Sequence, residues 1–177
     1  MTRSTRPIQL RDANGFIIPF RSSDAKLKVA FASDLFRYYG WARPDEASTD
    51  PAWRIVQETL NAGGNTIALD FARGVNHYDN IWDAGTSMAM TTASQANPCV
   101  ITVVSTATLA STDKVLISGV AGMTELNSNS YNITVLNATT FSIQSLDDDS
   151  DINSTGYGAY TSGGTIYIPE YLNYSFS

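Results

Sequence analysis

Few side chains in this sequence can carry chemistry. His77 is the only histidine and Cys99 the only cysteine among 177 residues. A Ser-His-Asp or Cys-His device would have to be built on His77, whose setting, Gly74-Val75-Asn76-His77-Tyr78-Asp79, reads as a polar loop. A zinc site of the usual Cys/His kind cannot be assembled within one such chain. Cys99 follows Pro98 and opens an apolar run, the setting of a small buried hydrophobe rather than of an activated thiol. No pair of carboxylates is singled out for glycoside hydrolysis. Gly163-Gly164 follows a tyrosine-rich turn and leads into a strand, not into the helix that a phosphate cradle needs. The one candidate metal site is Asp147-Asp148-Asp149-Ser150-Asp151-Ile152-Asn153. Asp147, Asp149 and Asp151 have the spacing of the first oxygen ligands of a calcium loop. Yet Ile152 stands where that loop needs Gly, and Gly158 where it needs a bidentate Glu. The expectation is a solvated acidic turn, and a chain with no catalytic residues, no cofactor and no metal.

The residues suited to contact are more numerous. Tyr combines a large apolar area with a polar end and is favoured at interfaces. Tyr167, Tyr171 and Tyr174 crowd the last thirteen residues, which makes them candidate interface residues. Arg3, Arg6 and Arg11 form a basic start that could touch an acidic partner or nucleic acid, or simply be a solvated arm. The net charge of -6 is unevenly placed. Ten of the eleven Lys and Arg residues lie at or before Arg73 against eight acids; after it, Lys114 alone faces nine acids. An acidic second half argues against nucleic-acid binding there.

The elements that position these residues read as strands. Hydrophobic residues are 43% and aromatics 11% of the chain, enough for a packed core, and no run approaches the roughly 20 apolar residues of a membrane span. Met1–Pro7 has positive charge but no apolar stretch after it, so no signal peptide is expected. With one cysteine, synthesis in a reducing cytoplasm is expected. Asp50–Leu60 can be read as a helix with Asp50 as N-cap and Pro51 at its first position. It alternates tolerably as a strand, and turn-like flanks (Arg43–Glu46, Asn61–Asn65) favour that reading. Leu27–Ala32, Tyr38–Ala42, Thr66–Ala72 and Thr86–Thr91 are β-branched or aromatic runs bounded by turn residues. So are Cys99–Ser105, Lys114–Ser118, Tyr131–Leu136, Thr140–Gln144 and Thr165–Ile168. Such spacing predicts a sandwich or small barrel. Gly119–Gly122 suits a barrel corner, where positive φ or close backbone approach is needed. Trp41, Trp53 and Trp82 fall in separate segments, and are expected to meet in one core.

One stretch is more specific. It runs from Asn97-Pro98-Cys99-Val100-Ile101-Thr102 through Ser111–Val120, Gly122–Asn127, Tyr131–Val135 and Thr140–Ile143 to Tyr157–Gly164. These six motifs in order resemble a small β-barrel module widespread in tailed-bacteriophage virion proteins, one similar to a domain of ubiquitin-activating enzymes. The likeness implies kinship of fold and no ubiquitin chemistry. A looser resemblance to a second virion-protein pattern lies in Tyr39-Gly40-Trp41-Ala42, Trp53-Arg54-Ile55, Phe71–Gly74 and Ile81-Trp82-Asp83.

The expected fold is therefore all-β. An arm (residues 1–20) precedes a β-sandwich-like domain (21–96, completed by 166–177), into which the barrel module (97–165) is inserted. The alternating C-terminal segment is expected to return to the first domain as a strand. The resemblance implies a non-enzymatic structural component of a tailed-phage virion: capsid decoration, neck or tail. It would be made in the host bacterial cytoplasm and assemble with other virion proteins and with copies of itself, apart from any membrane. The alternative is a glycan-binding, host-adhesion module with an exposed Trp41 or Trp82 as its platform.

Overall fold

Antiparallel strands account for nearly all regular structure in the computed structural model, which describes residues 26–72 and 80–176. The first four, β1 (Lys26–Phe31), β2 (Phe36–Ala42), β3 (Arg54–Leu60) and β4 (Thr66–Phe71), form one sheet in chain order. Asp50–Leu60 thus resolves as strand. Its first residues make a turn, and Trp53 bridges Asn80 just ahead of β3. Asn61 closes the β3–β4 turn by accepting from the backbone N–H of Gly63 and Asn65, both at 3.0 Å.

Six strands close a barrel: β5 (Ser87–Ala93), β6 (Val100–Val103), β7 (Lys114–Ala121), β8 (Asn129–Val135), β9 (Thr140–Ser145) and β10 (Ser162–Tyr167). Around the barrel the order is β10-β5-β6-β9-β8-β7, with β7 pairing β10 to finish the ring. The barrel takes in Ser87–Ala93, which a boundary at Asn97 leaves with the first unit. Its interior is filled by inward-facing Ile101, Ile117, Ile133, Phe141, Ile143 and Ile166, all essentially fully buried. Gly122 makes the corner expected of it. It has φ +85, and a Cβ there would fall 2.0 Å from the carbonyl oxygen of Ala159. Asn127 ties the same corner by accepting from Val120 N–H at 2.8 Å and donating to Val120 O at 2.9 Å.

The barrel is an insertion. The chain enters it at Ser87 and leaves at Tyr167, which are paired neighbours, and Ile168 N–H donates to Thr86 O at 3.0 Å. The C-terminal segment then returns to the sheet, but not as the expected strand. It forms a four-residue helix, α1 (Glu170–Asn173), and a single bridge between Phe176 and Ala72. Pro169 stands at the helix start in extended conformation, and the turn of helix lets two consecutive residues, Tyr171 and Leu172, both be buried, which strand alternation would forbid.

The sheet's aromatic core lies on one face. Trp53 and Trp82 meet there at 5.8 Å between ring centroids, Tyr171 stacks on Trp82 at 4.6 Å, and Tyr38 contacts Tyr171 and Phe176. The expectation that all three tryptophans share a core is corrected. Trp41 lies one residue from Gly40 and Ala42 along β2, so it projects from the opposite face. Leu146, from the turn after β9, joins the sheet's core rather than the barrel's. Beside it a polar groove of about 420 Å³ runs between the β1–β2 turn and the barrel. No helix among the described residues is long and apolar enough to cross a membrane.

Candidate interaction surface

Strand alternation gives β1 two faces: Lys28 and Ala30 on one, Leu27, Val29 and Phe31 on the other. The usual assignment would bury the apolar set. The structure does the reverse. Lys28 lies over the Trp53 ring at 5.6 Å, with its ammonium hydrogen-bonded to the Ser48 hydroxyl. Leu27, Val29 and Phe31 point outward and remain 55%, 43% and 71% exposed. Long Lys stems can cover aromatic rings while their heads stay solvated, so the lysine side of the edge strand closes the core.

Register places the other strands' residues on this outer face. Leu27 is opposite Trp41, Val29 opposite Tyr39 and Phe31 opposite Arg37. Trp41, Tyr39 and Arg37 are in turn opposite Arg54, Val56 and Glu58, which lead across to Phe71 and Leu69 on β4. On the far edge Ile67 and Leu69 are 64% and 52% exposed. The outer face therefore has an apolar row along each edge and a mixed band between them.

The central band is internally satisfied. Glu58 accepts from Tyr39 Oη at 2.7 Å and from the Thr66 hydroxyl, and Arg37 lies 3.7 Å away. Burial pushes the Glu58 carboxyl up, but those two hydrogen bonds and the Arg37 charge together outweigh it and hold the group below its ordinary value. Tyr39 stacks on Trp41 at 6.0 Å and 19°. Arg37 sits over Phe31 at 5.4 Å, and Arg54 over Phe71 at 4.4 Å. The charges are fixed in place, Arg54, Val56 and Glu58 of the central strand are themselves buried, and the aliphatic rows along the two edges are exposed.

The residues singled out from the sequence are scattered. Arg3, Arg6, Arg11 and His77 lie outside the described residues, as does the arm at 1–20. Tyr171 is buried, so it builds the core instead of a surface; Tyr174 Oη bonds the backbone of Ile81, accepting from N–H at 2.8 Å and donating to the carbonyl at 3.2 Å. Tyr167, at the barrel's foot, is 38% exposed. Trp82 is 5% exposed and cannot be a sugar platform. Cys99 is buried, with its thiol 3.5 Å from Ser94 O, and burial pushes its pKa up. Among the described residues no cluster of three or more His, Cys, Asp or Glu side chains is placed to hold a metal ion. Asp149 instead accepts from Asn132 Nδ2, Asp151 from Gln144 Nε2 at 3.4 Å, and Asp148 from Ser150.

The outer face was missed from sequence, although a signal existed. Leu27, Val29 and Phe31 alternate with Lys26 and Lys28, and a second apolar set on β4 does the same. Alternation fixes which residues share a face but not which face meets the core.

Residues 96–168 match the family model described as the ubiquitin-activating enzyme E1 FCCH domain. The matched stretch holds β6 to β10, five of the six barrel strands, and β5 precedes it. No curated protein matches the chain.

Proposed function

We propose that this chain is a non-enzymatic building block of a tailed-phage virion, placed on the capsid surface, the neck or the tail, and acting by protein–protein assembly. The observation that carries the proposal is the outward sheet face, with Leu27, Val29, Phe31, Ile67 and Leu69 all exposed beside a fixed polar band. Monomers rarely leave an apolar surface of that extent open without a partner for it. The motif order from Asn97 to Gly164, which resembles virion barrel modules, supports the phage setting. The family match supports the barrel's fold, and fold kinship alone transfers no ubiquitin chemistry.

The test is mass spectrometry of particles purified from a lysate of the phage that encodes the chain, followed by localisation in cryo-EM maps. Peptides at a fixed ratio to the major capsid protein are expected. Complete absence from intact particles overturns the reading.

A glycan-binding role keeps one supporting observation, the Tyr39–Trp41 stack on the outer face. Sugar sites combine a ring with polar groups for the hydroxyls, whereas Leu27 and Val29 stand directly opposite these two rings. That neighbourhood favours a protein partner. Specific retention on a glycan array, lost in Trp41→Ala, would reverse the preference.

A further inference from the structure

Between the sheet and the barrel lies the groove of about 420 Å³, and its charged groups are all of one sign. Asp34 lines it from the β1–β2 turn and Asp147 from the turn after β9, and no described Lys or Arg does so. Neither carboxylate has a hydrogen-bond or ion-pair partner among the described residues. We infer that this groove seats an arginine side chain carried on an extended segment of a partner protein, the guanidinium shared by Asp34 and Asp147 over the Ser130 hydroxyl. The inference rests on the assembly reading above and names the chemistry of the contact.

Ser130 points to an occupant independently of the two acids. Alternation along β8 turns Tyr131 and Ile133 into the barrel and Ser130 outward. An outward serine on a barrel wall is ordinarily solvated, yet Ser130 is only 7% exposed, because the wall here faces the sheet across the groove. Its hydroxyl bonds to no other described residue. Nor is it sealed from solvent, so its remaining access is to the groove. A hydroxyl so nearly desolvated is costly until something bonds it. Asn129 beside it donates to Glu125 O at 2.9 Å and leaves its Oδ1 available.

This lining selects a donor. A carboxylate only accepts, and a guanidinium only donates, through five N–H groups in one plane. It can serve Asp34, Asp147, the Asn129 amide oxygen and the Ser130 hydroxyl together, where a lysine ammonium has three donors to share. Phe31, Ile152 and Tyr157 supply apolar lining for the aliphatic stem. The volume lies within the roughly 300–1,000 Å³ of ligand sites and exceeds one side chain, which leaves room for the backbone that carries it. A neutral sugar would desolvate two carboxylates without neutralising them. The turns that hold the acids are already set. Ser33 Oγ accepts from Phe36 N–H at 3.1 Å, and Asp147 N–H donates to Ser145 Oγ at 3.2 Å, so little ordering remains to be done on binding.

The test is titration of the isotopically labelled full chain with acetyl-Gly-Arg-Gly-amide, followed through the backbone amide resonances. Saturable shifts at Asp34, Asn129, Ser130 and Asp147 are expected, with a Kd of about 1 mM or tighter. The citrulline counterpart, of the same shape without the charge, should bind at least about tenfold more weakly. Asp34→Asn and Asp147→Asn alter exposed positions, and each should weaken binding about fivefold, the size of an exposed ion pair. Ser130→Ala keeps both charges and should weaken it about threefold or more. Asp45→Asn removes an exposed acid outside the groove and should leave binding unchanged.

No saturable shift up to about 10 mM peptide overturns the inference, as does a citrulline peptide that binds equally well. Binding indifferent to Asp34→Asn and Asp147→Asn overturns it too. So does an equal loss in Asp45→Asn, which would make the contact one of net charge, or maltotriose moving the groove amides at lower concentration than the peptide. Virion incorporation is read separately. A chain that binds the peptide but is absent from particles sinks the virion role alone, and a chain found in particles that ignores the peptide sinks the groove alone.

Discussion

At Gly40 the inner face of β2 has no room for a side chain: a Cβ there would fall 2.2 Å from Cε3 of Trp82 and 3.0 Å from Cε3 of Trp53. Gly40→Ala is therefore expected to cost about 1–3 kcal/mol, as overpacking does, read as a lower midpoint in a urea melt followed by tryptophan fluorescence. The neighbouring tyrosines give the sheet's core a pH limit. Burial pushes Tyr38 up to about 12, against a smaller opposing effect of its hydrogen bond from Gln57. Tyr171 is pushed up to about 12 by burial first, then by the charge of Asp83 and by Tyr38. Both titrate near 10 when unfolded, so the folded state holds these protons more tightly. Their contribution is fully present below pH 10 and is lost as pH rises through 12. Unfolding free energy should hold level between pH 7 and 9 and fall between 10 and 12, and Tyr171→Phe should flatten part of that fall.

Among the elements, the strands were legible because β-branched and aromatic runs alternate with turn residues, and each expected run has its counterpart in β1 to β10. Three features were not legible, each for a physical reason. β5 joins the barrel because it pairs with both β6 and β10, and pairing partners distant in sequence leave no local mark. The last residues alternate Tyr171, Asn173 and Ser175 with Leu172, Tyr174 and Phe176, yet both sets are partly apolar. That pattern does not distinguish strand from a turn of helix, and packing on Trp82 decided it. In β1 alternation was clear, but tertiary packing chose the lysine side for the core. As for the interaction surface, its residues could be read and its outward direction could not. α1 shows how much a short element can hold. Leu172 is fully buried in the sheet's core, and Asn173 accepts from Lys114 N–H at 2.6 Å while donating to Lys114 O at 3.1 Å. Leu172→Ala is expected to destabilise by about 2–5 kcal/mol, measured by thermal melting with near-UV detection.

For the whole molecule, side chains from two short segments tie the two units together. Leu146 reaches from the barrel into the sheet's core, and Asn173 reaches from the returning segment to the start of β7. Leu146→Asp should bury a charge at that joint or break it. The expected result is that one cooperative melting transition becomes two, with the sheet unfolding first and the barrel persisting, seen by calorimetry. The barrel can persist because its ring is closed and its core is separate from the sheet's. The pairing of Ser87 with Tyr167 has another consequence. An insert whose two ends lie side by side behaves as an exchangeable cassette. Recombination can replace it with a barrel of unrelated sequence without displacing Trp82 on one side or Pro169 on the other. The contacts made by Leu146 and Asn173 would have to be found again. Such a gene can exchange its barrel and keep its sheet unchanged.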